Sequence, residues 1–268
     1  MSDFARWQVR SRLASGPIVY PWIHDAKMNV RRGETGFTFN IYCGLHDFEE
    51  MSYLLHVLRP ETLFADVGAN VGSYTILASA VRRARAVSFE PVPDTFARLQ
   101  KNLQLNNLDA LVTACNTGVA DKPGIIHFST RENCCNHVLS DTDKEEGLEV
   151  KVVTLDEVFV DSCPSLMKVD VEGFEYPVLK GATSLLQNPT LNSILLELNA
   201  GLHYGHTEHD TLALLKSHGF AAYHYDPFRR LLTPREPSPG NVLFIRDVDR
   251  AQALVSSSES FRVKGIDL

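Results

Sequence analysis

From about residue 60 onward, short apolar runs alternate with stretches whose apolar residues recur at helical spacing. That alternation marks strand–helix–strand units closing a parallel sheet. Thr62–Val67 (TLFADV) reads as a strand that ends at Gly68 and leads into a helix over Tyr74–Ala80. Arg85–Glu90 (RAVSFE) is a second strand. A helix follows it, with Phe96, Leu99 and Leu103 on one face and Asp94 as its N-cap. Ala110–Cys115, Ser165–Asp170 and Ser193–Leu198 are the third, fourth and fifth strands, the last two bracketing a helix through Val178–Leu186. Thr207 and Asp210 make a capping box for a helix running to Ser217. Phe220–Tyr225 and Val242–Arg246 then form a terminal hairpin across the Pro-rich loop Pro234–Gly240.

Two segments depart from this rhythm. Between the third and fourth strands, Gly124–Thr130 and Leu148–Thr154 read as extra strands flanking the polar stretch Arg131–Gly147, which contains His137. An insertion of that length in a compact domain suits a lid or an acceptor-binding loop. Residues 1–59 are aromatic and strand-like without a clean period. The expected organisation is an N-terminal extension over 1–59 packed on a core domain over 60–248, with an inserted loop at 122–150 and a tail over 249–268.

Composition narrows the function. With 44% hydrophobic and 22% charged residues, the 268-residue chain is of ordinary globular make-up. Its 33 acids against 26 bases give a formal charge of −7, and no Lys/Arg cluster offers a face for phosphates, so nucleic acid is not an expected partner. No apolar run approaches the ~18 residues of a membrane span, and the N-terminus lacks a signal-peptide core, so a soluble cytoplasmic protein is expected. The five cysteines (Cys43, Cys115, Cys134, Cys135 and Cys163) have no metal-ligand spacing and read as reduced thiols.

The most informative segment is FADVGANVGSY, residues 64–74. A strand delivers Asp66, the chain turns at Gly68, and Gly72 opens a helix. Glu90 follows Gly68 by 22 residues, at the tip of the next strand. In nucleotide-binding folds an acid in that position accepts hydrogen bonds from a ribose diol. A dinucleotide fingerprint would need glycines at 70 and 73, where the chain has Asn70 and Ser73, and Asp66 would repel a phosphate. An NAD-dependent oxidoreductase is therefore the runner-up. S-adenosylmethionine, with a ribose and a zwitterionic tail but no phosphate, fits better.

DVGANVGSYT, FEPVPDTFARLQKNLQLNN, VTLDEVF, LMKVDVEGFEYPVLKGA, LLELN and GNVLFI together resemble the FkbM-type S-adenosylmethionine-dependent methyltransferases, from about Phe48 to Ile245. The resemblance implies an α/β, class I Rossmann-like methyltransferase fold. Its seven-stranded, mostly parallel sheet would end in an antiparallel hairpin. It also implies O-methylation of a hydroxyl on a sugar or other natural product, with S-adenosylhomocysteine as product. By family position Asp66, Gly68, Asn70 and Gly72 line the methionine half of the cofactor. Glu90 holds the ribose, Asn116 the adenine, and Asp170 lies beside the donor methyl.

A hydroxyl acceptor needs a group to take its proton. Asp170, Glu172, Glu197 and His203 are the candidates, since all follow strands expected to end under the donor methyl; Asn199 ends the fifth strand as well. Glu175 instead suits the N-terminus of the following helix. Spacing at His203, His206 and His209 suggests a metal, but a solvated loop is the better reading. Mg²⁺ on Asp170 and Glu197 is the less favoured alternative, because no further Asp completes a site. The expected partner is a small-molecule or glycan acceptor, and a homodimer stays open. Other functions, a nucleic-acid or protein methyltransferase or a non-catalytic cofactor-binding module, fit less well. The fourth strand lacks the Pro-Pro-Tyr box of base methylation, and the loop and carboxylates are intact.

Overall fold

The computed structural model describes residues 3–33, 35–128, 147–198 and 204–268. Its central sheet consists of β1 (Leu63–Val67), β2 (Arg85–Phe89), β3 (Val112–Cys115), β4 (Leu166–Val169), β5 (Ser193–Leu198), β6 (Ala221–Asp226), β7 (Leu231–Pro234) and β8 (Gly240–Ile245). The spatial order is β7-β6-β8-β5-β4-β1-β2-β3. β1 to β5 run parallel where they pair. β8 is antiparallel to both β5 and β6, which leaves β6 running with the parallel set. A reversed strand inserted between the fifth and sixth gives the class I methyltransferase topology.

The sheet has eight strands, one more than expected. The additional β7 lies in the stretch between the two arms of the hairpin and pairs with the outer edge of β6. Leu232 buries its side chain while its neighbours stay exposed, and Pro234 is tolerated because this is an edge. The hairpin itself forms, with Ala221 opposite Ile245 and Tyr223 opposite Leu243.

Smaller differences have local causes. The helix after β2 spans Pro93–Leu105 with Val92 at the N-cap, so Asp94 sits in its first turn. Pro93 sets φ for the first helical residue and moves the start forward. The helix expected over 178–186 is two short ones, Glu175–Lys180 and Thr183–Gln187, broken at Gly181. Thr207 and Asp210 do form a capping box. Gly124–Phe128 and Leu148–Val153 pair antiparallel in a small separate sheet with Gly118–Val119, while residues 129–146, including His137, Cys134 and Cys135, lie outside the described residues.

The segment before β1 is mainly helical rather than strand-like. It carries helices Asp3–Leu13, Thr35–Cys43 and Phe48–Val57, with one hairpin, Ile18–Pro21 against Lys27–Val30. The helix Phe48–Val57 packs against β6 and the C-terminal helix Val248–Ser256, burying every side chain from Met51 to Val57. From Met51 on, the helix is buried on every side, so it has no polar face there and no period to read. Tyr53 bonds Ser193 Oγ at 2.6 Å and His56 Nδ1 bonds the Tyr225 hydroxyl at 2.6 Å. The hairpin docks on the helix Pro93–Leu105, where Asn102 accepts from the Asn29 amide (2.7 Å) and donates to the Val71 carbonyl (2.8 Å). Among the described residues no helix is long and apolar enough to cross a membrane.

Candidate active site

The carboxyl ends of β1, β2, β4 and β5, with the start of β8, open on one cavity of about 300 Å³. In open α/β sheets ligands bind at this edge. Gly68 turns the chain away from β1 with φ +82°, and its amide and that of Ala69 donate to the Phe89 carbonyl at 3.1 and 2.9 Å. A Cβ at Gly68 would stand 1.9 Å from the Asp170 carbonyl oxygen. The glycine therefore lets the first loop touch the end of β4. The Asn70 amide donates to Glu90 Oε2 at 3.0 Å, and the Val92 amide to Glu90 Oε1 at 2.9 Å. Two loops thus aim one carboxyl. Burial pushes Glu90 up to about 7, although both amide bonds favour its charged form.

Gly68, Asn70, Glu90 and Asp170 line the cavity, whereas Asp66, Gly72 and Asn116 are not among its lining residues. Asp66 is buried. It accepts from Thr75 Oγ1 at 2.6 Å, and Thr75 meets Ser88 Oγ at 2.7 Å. This network ties the next helix to the sheet. Gly72 precedes the helix Ser73–Ile76 and packs against Leu99. Asn116 donates to the carbonyls of Glu90 and Pro91 at 2.9 and 3.0 Å, bracing the end of β2.

Asp170, Glu172 and Glu197 converge, with one oxygen from each within 4.8 Å of the others. A third carboxylate does complete the group, and it is Glu172, on the turn just after β4. Its backbone is left-handed, φ +52°, a conformation that costs a non-glycine residue roughly 1–2 kcal/mol. Beneath the group lies Lys168, buried within β4. Its Nζ is 2.7 Å from Asp170 Oδ2 and 4.8 Å from the centre of the Tyr74 ring. Burial opposes the Asp170 charge, but Lys168 and a hydrogen bond from Glu197 hold its carboxyl below the usual range. Burial and the neighbouring Asp170 push Glu197 up to about 9. The two carboxyls titrate as a pair, with Asp170 the easier to ionise and Glu197 the harder. Glu175 bonds the Gly173 amide at 2.9 Å and lies off the cavity. His203 and Asn199 lie outside the described residues, and His206 stacks on Tyr176 away from the carboxylates.

The remaining wall comes from the N-terminal segment and β8. Gly36, Phe39, Asn40, His46, Asp47 and Met51 line it, together with Asn241, which pairs with Glu197 in the β5–β8 register. Asp47 accepts from the Tyr74 hydroxyl at 2.9 Å, which fixes this wall to the helix after β1.

The family described as Methyltransferase FkbM domain matches residues 66–222, more than half of the chain. The chain belongs to that family. Among its relatives, the hexuronic acid methyltransferase AglP of Haloferax volcanii is 34% identical over 155 residues. That match covers 56% of this chain and 61% of the relative. The 31-O-demethyl-FK506 methyltransferase FkbM of Streptomyces tacrolimicus is 25% identical over 72% of this chain and 84% of its own. Among solved structures, methyltransferase FkbM from Methylobacillus flagellatus KT aligns with TM-score 0.47 and 16% identity, over 70% of this chain and 44% of that one.

Two parts of this FkbM-family site are not evident from the sequence alone. Lys168 had a signal: a lysine inside the apolar run SLMKVD must find a counter-charge if the strand is buried. The wall from Gly36 to Met51 had none, since its polar and aromatic residues follow no period.

The sequence assigns the cofactor's ribose to Glu90, and on that expectation removing its carboxyl should weaken S-adenosylhomocysteine binding by roughly 1–3 kcal/mol, the worth of a charge-assisted acceptor. Calorimetry on Glu90→Ala checks this; unchanged affinity would take the ribose role from Glu90.

A second expectation concerns pH. Burial raises Glu50, Glu90 and Glu175 to about 7 and Glu197 to about 9. Between their unfolded values near 4.5 and these folded ones, the native protein holds protons that the unfolded chain releases. Stability contributed by these groups is present below the unfolded value and falls as pH rises through that window. Asp170 works oppositely at acid pH, and so does His56, which burial lowers to about 4, up to its unfolded value near 6.5, but the four glutamates outweigh it. Melting temperatures of the unliganded protein should decline from about pH 5 to about pH 9, and Glu197→Gln should flatten the upper half. A flat wild-type profile would contradict these assignments.

Proposed function

We propose that the protein transfers a methyl group from S-adenosylmethionine to a hydroxyl of a sugar or other natural product. The observation that carries this reading is that one cavity joins Glu90 to the Asp170–Glu197 pair. The residues present suit the cofactor: Glu90 offers a pre-aimed acceptor for a ribose diol, and the carboxylates complement a positively charged sulfur. The Haloferax relative, a hexuronic acid methyltransferase, and the Streptomyces relative, a 31-O-demethyl-FK506 methyltransferase, support the same class of acceptor.

When bound, the donor supplies an electrophilic methyl carbon on a sulfonium. The chain's own task is to hold the acceptor oxygen in line with it and to take a proton. Asp170, kept ionised by Lys168, accepts a hydrogen bond from the acceptor hydroxyl. As the oxygen–carbon bond forms and the carbon–sulfur bond breaks, the hydroxyl proton passes to the Asp170–Glu197 pair. S-adenosylhomocysteine and the methyl ether are the products. Glu172 adds negative charge beside the pair.

A second reading rests on the spacing of the three carboxylates, which would suit a divalent cation such as Mg²⁺. Lys168 already occupies one oxygen of Asp170 at 2.7 Å, so we favour proton transfer without a metal. The deciding experiment offers isotopically labelled S-adenosylmethionine to purified protein with hexuronic acid glycosides and hydroxylated macrolides, with and without EDTA. Label in a methyl ether, unaffected by EDTA, is the expected result. Activity lost to EDTA and restored by Mg²⁺ would make the carboxylates ligands. Label on nitrogen, or none together with no binding of S-adenosylhomocysteine, would overturn the proposal.

A further inference from the structure

Phe39 and His46 stack with ring centres 4.8 Å apart and planes 18° from parallel, and both line the cavity that holds Asp170 and Glu197. Neither ring is spent on the core: Phe39 is 51% exposed and the His46 side chain 52%. The backbone beneath them is nevertheless firmly held. The His46 amide donates to the buried Asn40 Oδ1 at 2.7 Å, and Trp22 Nε1 donates to the Gly44 carbonyl at 2.6 Å. Asp47, the next residue, receives the Tyr74 hydroxyl at 2.9 Å. An exposed aromatic pair on a rigid support gains little for folding, but it is pre-organised to receive a ring.

We infer that the Phe39–His46 stack is the acceptor platform, and that it takes a saturated, hydroxylated six-membered ring, a pyranose or a cyclohexanol, by the face that carries its axial C–H bonds. The inference rests on the proposed methyl transfer and adds the acceptor's shape to it. The cavity is amphipathic: the two aromatic rings line it together with the polar side chains of Asp47, Glu197 and Asn241. A pyranose matches this, having one apolar face and a rim of hydroxyls that can pair with carboxyl and amide groups. A flat phenol has two apolar faces and hydroxyls only in the plane of its ring, so it offers those polar groups fewer partners. An open-chain polyol has no apolar face for the stack.

The test uses the full chain loaded with S-adenosylhomocysteine, and four probes: methyl β-glucuronide, trans-1,2-cyclohexanediol, catechol and sorbitol. Saturation-transfer NMR and titration on wild type, Phe39→Ala, Phe39→Tyr and His46→Ala give the readouts, with methyl transfer from labelled donor alongside. The two saturated rings should bind wild type, with saturation strongest on axial C–H groups. Phe39→Ala should weaken them by about tenfold or more, mostly as a rise in KM, and Phe39→Tyr should restore binding. S-adenosylhomocysteine affinity should hold within about twofold in all variants, which separates a lost platform from a damaged fold. Equal ring binding by Phe39→Ala, preference for catechol or sorbitol, or no ring binding by a wild type that still takes S-adenosylhomocysteine would overturn the platform alone. A wild type that fails to bind S-adenosylhomocysteine would overturn the methyl-transfer reading beneath it.

Discussion

Asp170→Asn is expected to lower methyl transfer by about 10²–10⁴-fold, the usual contribution of a positioned general base. Asn has the shape of the carboxylate and can still accept a hydrogen bond, but it cannot hold the acceptor's proton. The change also removes the charge that Lys168 keeps in place at 2.7 Å. Affinity for S-adenosylmethionine should therefore fall more than affinity for S-adenosylhomocysteine, since only the former carries a positive sulfur. Lys168 is buried, and leaving it without Asp170 risks unfolding. The double variant Asp170→Asn with Lys168→Met removes both charges and should recover stability without recovering turnover. Wild-type turnover in Asp170→Asn would move the base elsewhere.

Gly68→Ala should be among the most damaging small substitutions in the chain, costing about 3 kcal/mol or more of stability. Two penalties coincide there. The residue sits at φ +82°, and its new methyl would stand 1.9 Å from a backbone oxygen of the neighbouring strand end, which cannot swing away as a side chain would. Gly33 separates the two, because it shares φ +82° but has nothing within 4 Å of an added Cβ. Gly33→Ala should cost only about 1 kcal/mol. If the two variants melt alike, the contact between the first loop and β4 is looser than described. If they differ as expected, the Gly68 variant should also lose cofactor affinity, since the same displacement moves the Asn70 amide off Glu90.

The strands that carry the chemistry were legible because each announces itself locally. TLFADVG ends in an acid and a turn, RAVSFE ends in Glu90, and SLMKVD and SILLEL are apolar runs with a charge at the tip or beside it. What the sequence does not display is pairing across distance. Lys168 signals that it needs a counter-charge but not which one, and Asn241 does not show that β8 will bring it beside Glu197. β7 escaped because one buried residue, Leu232, is too small a signal between exposed neighbours. The helix Phe48–Val57 escaped for the opposite reason: from Met51 on it is buried all round, so nothing in it alternates. The helix Thr35–Cys43 and the turn after it put Phe37 and Ile41 in the core but leave Phe39 and His46 exposed, so patterns of burial do not reveal the cavity wall they form.

The placement of β8 has a practical consequence for anyone isolating the conserved domain. The family match ends at residue 222, yet the neighbour of β5 on that side is β8, which begins at Gly240. A protein trimmed to the matched region would bare the full length of Ser193–Leu198, a strand whose residues are almost all buried and whose open amides and carbonyls would invite other chains to pair. Insolubility of such a fragment would report a missing seam in the sheet, not an unstable methyltransferase fold.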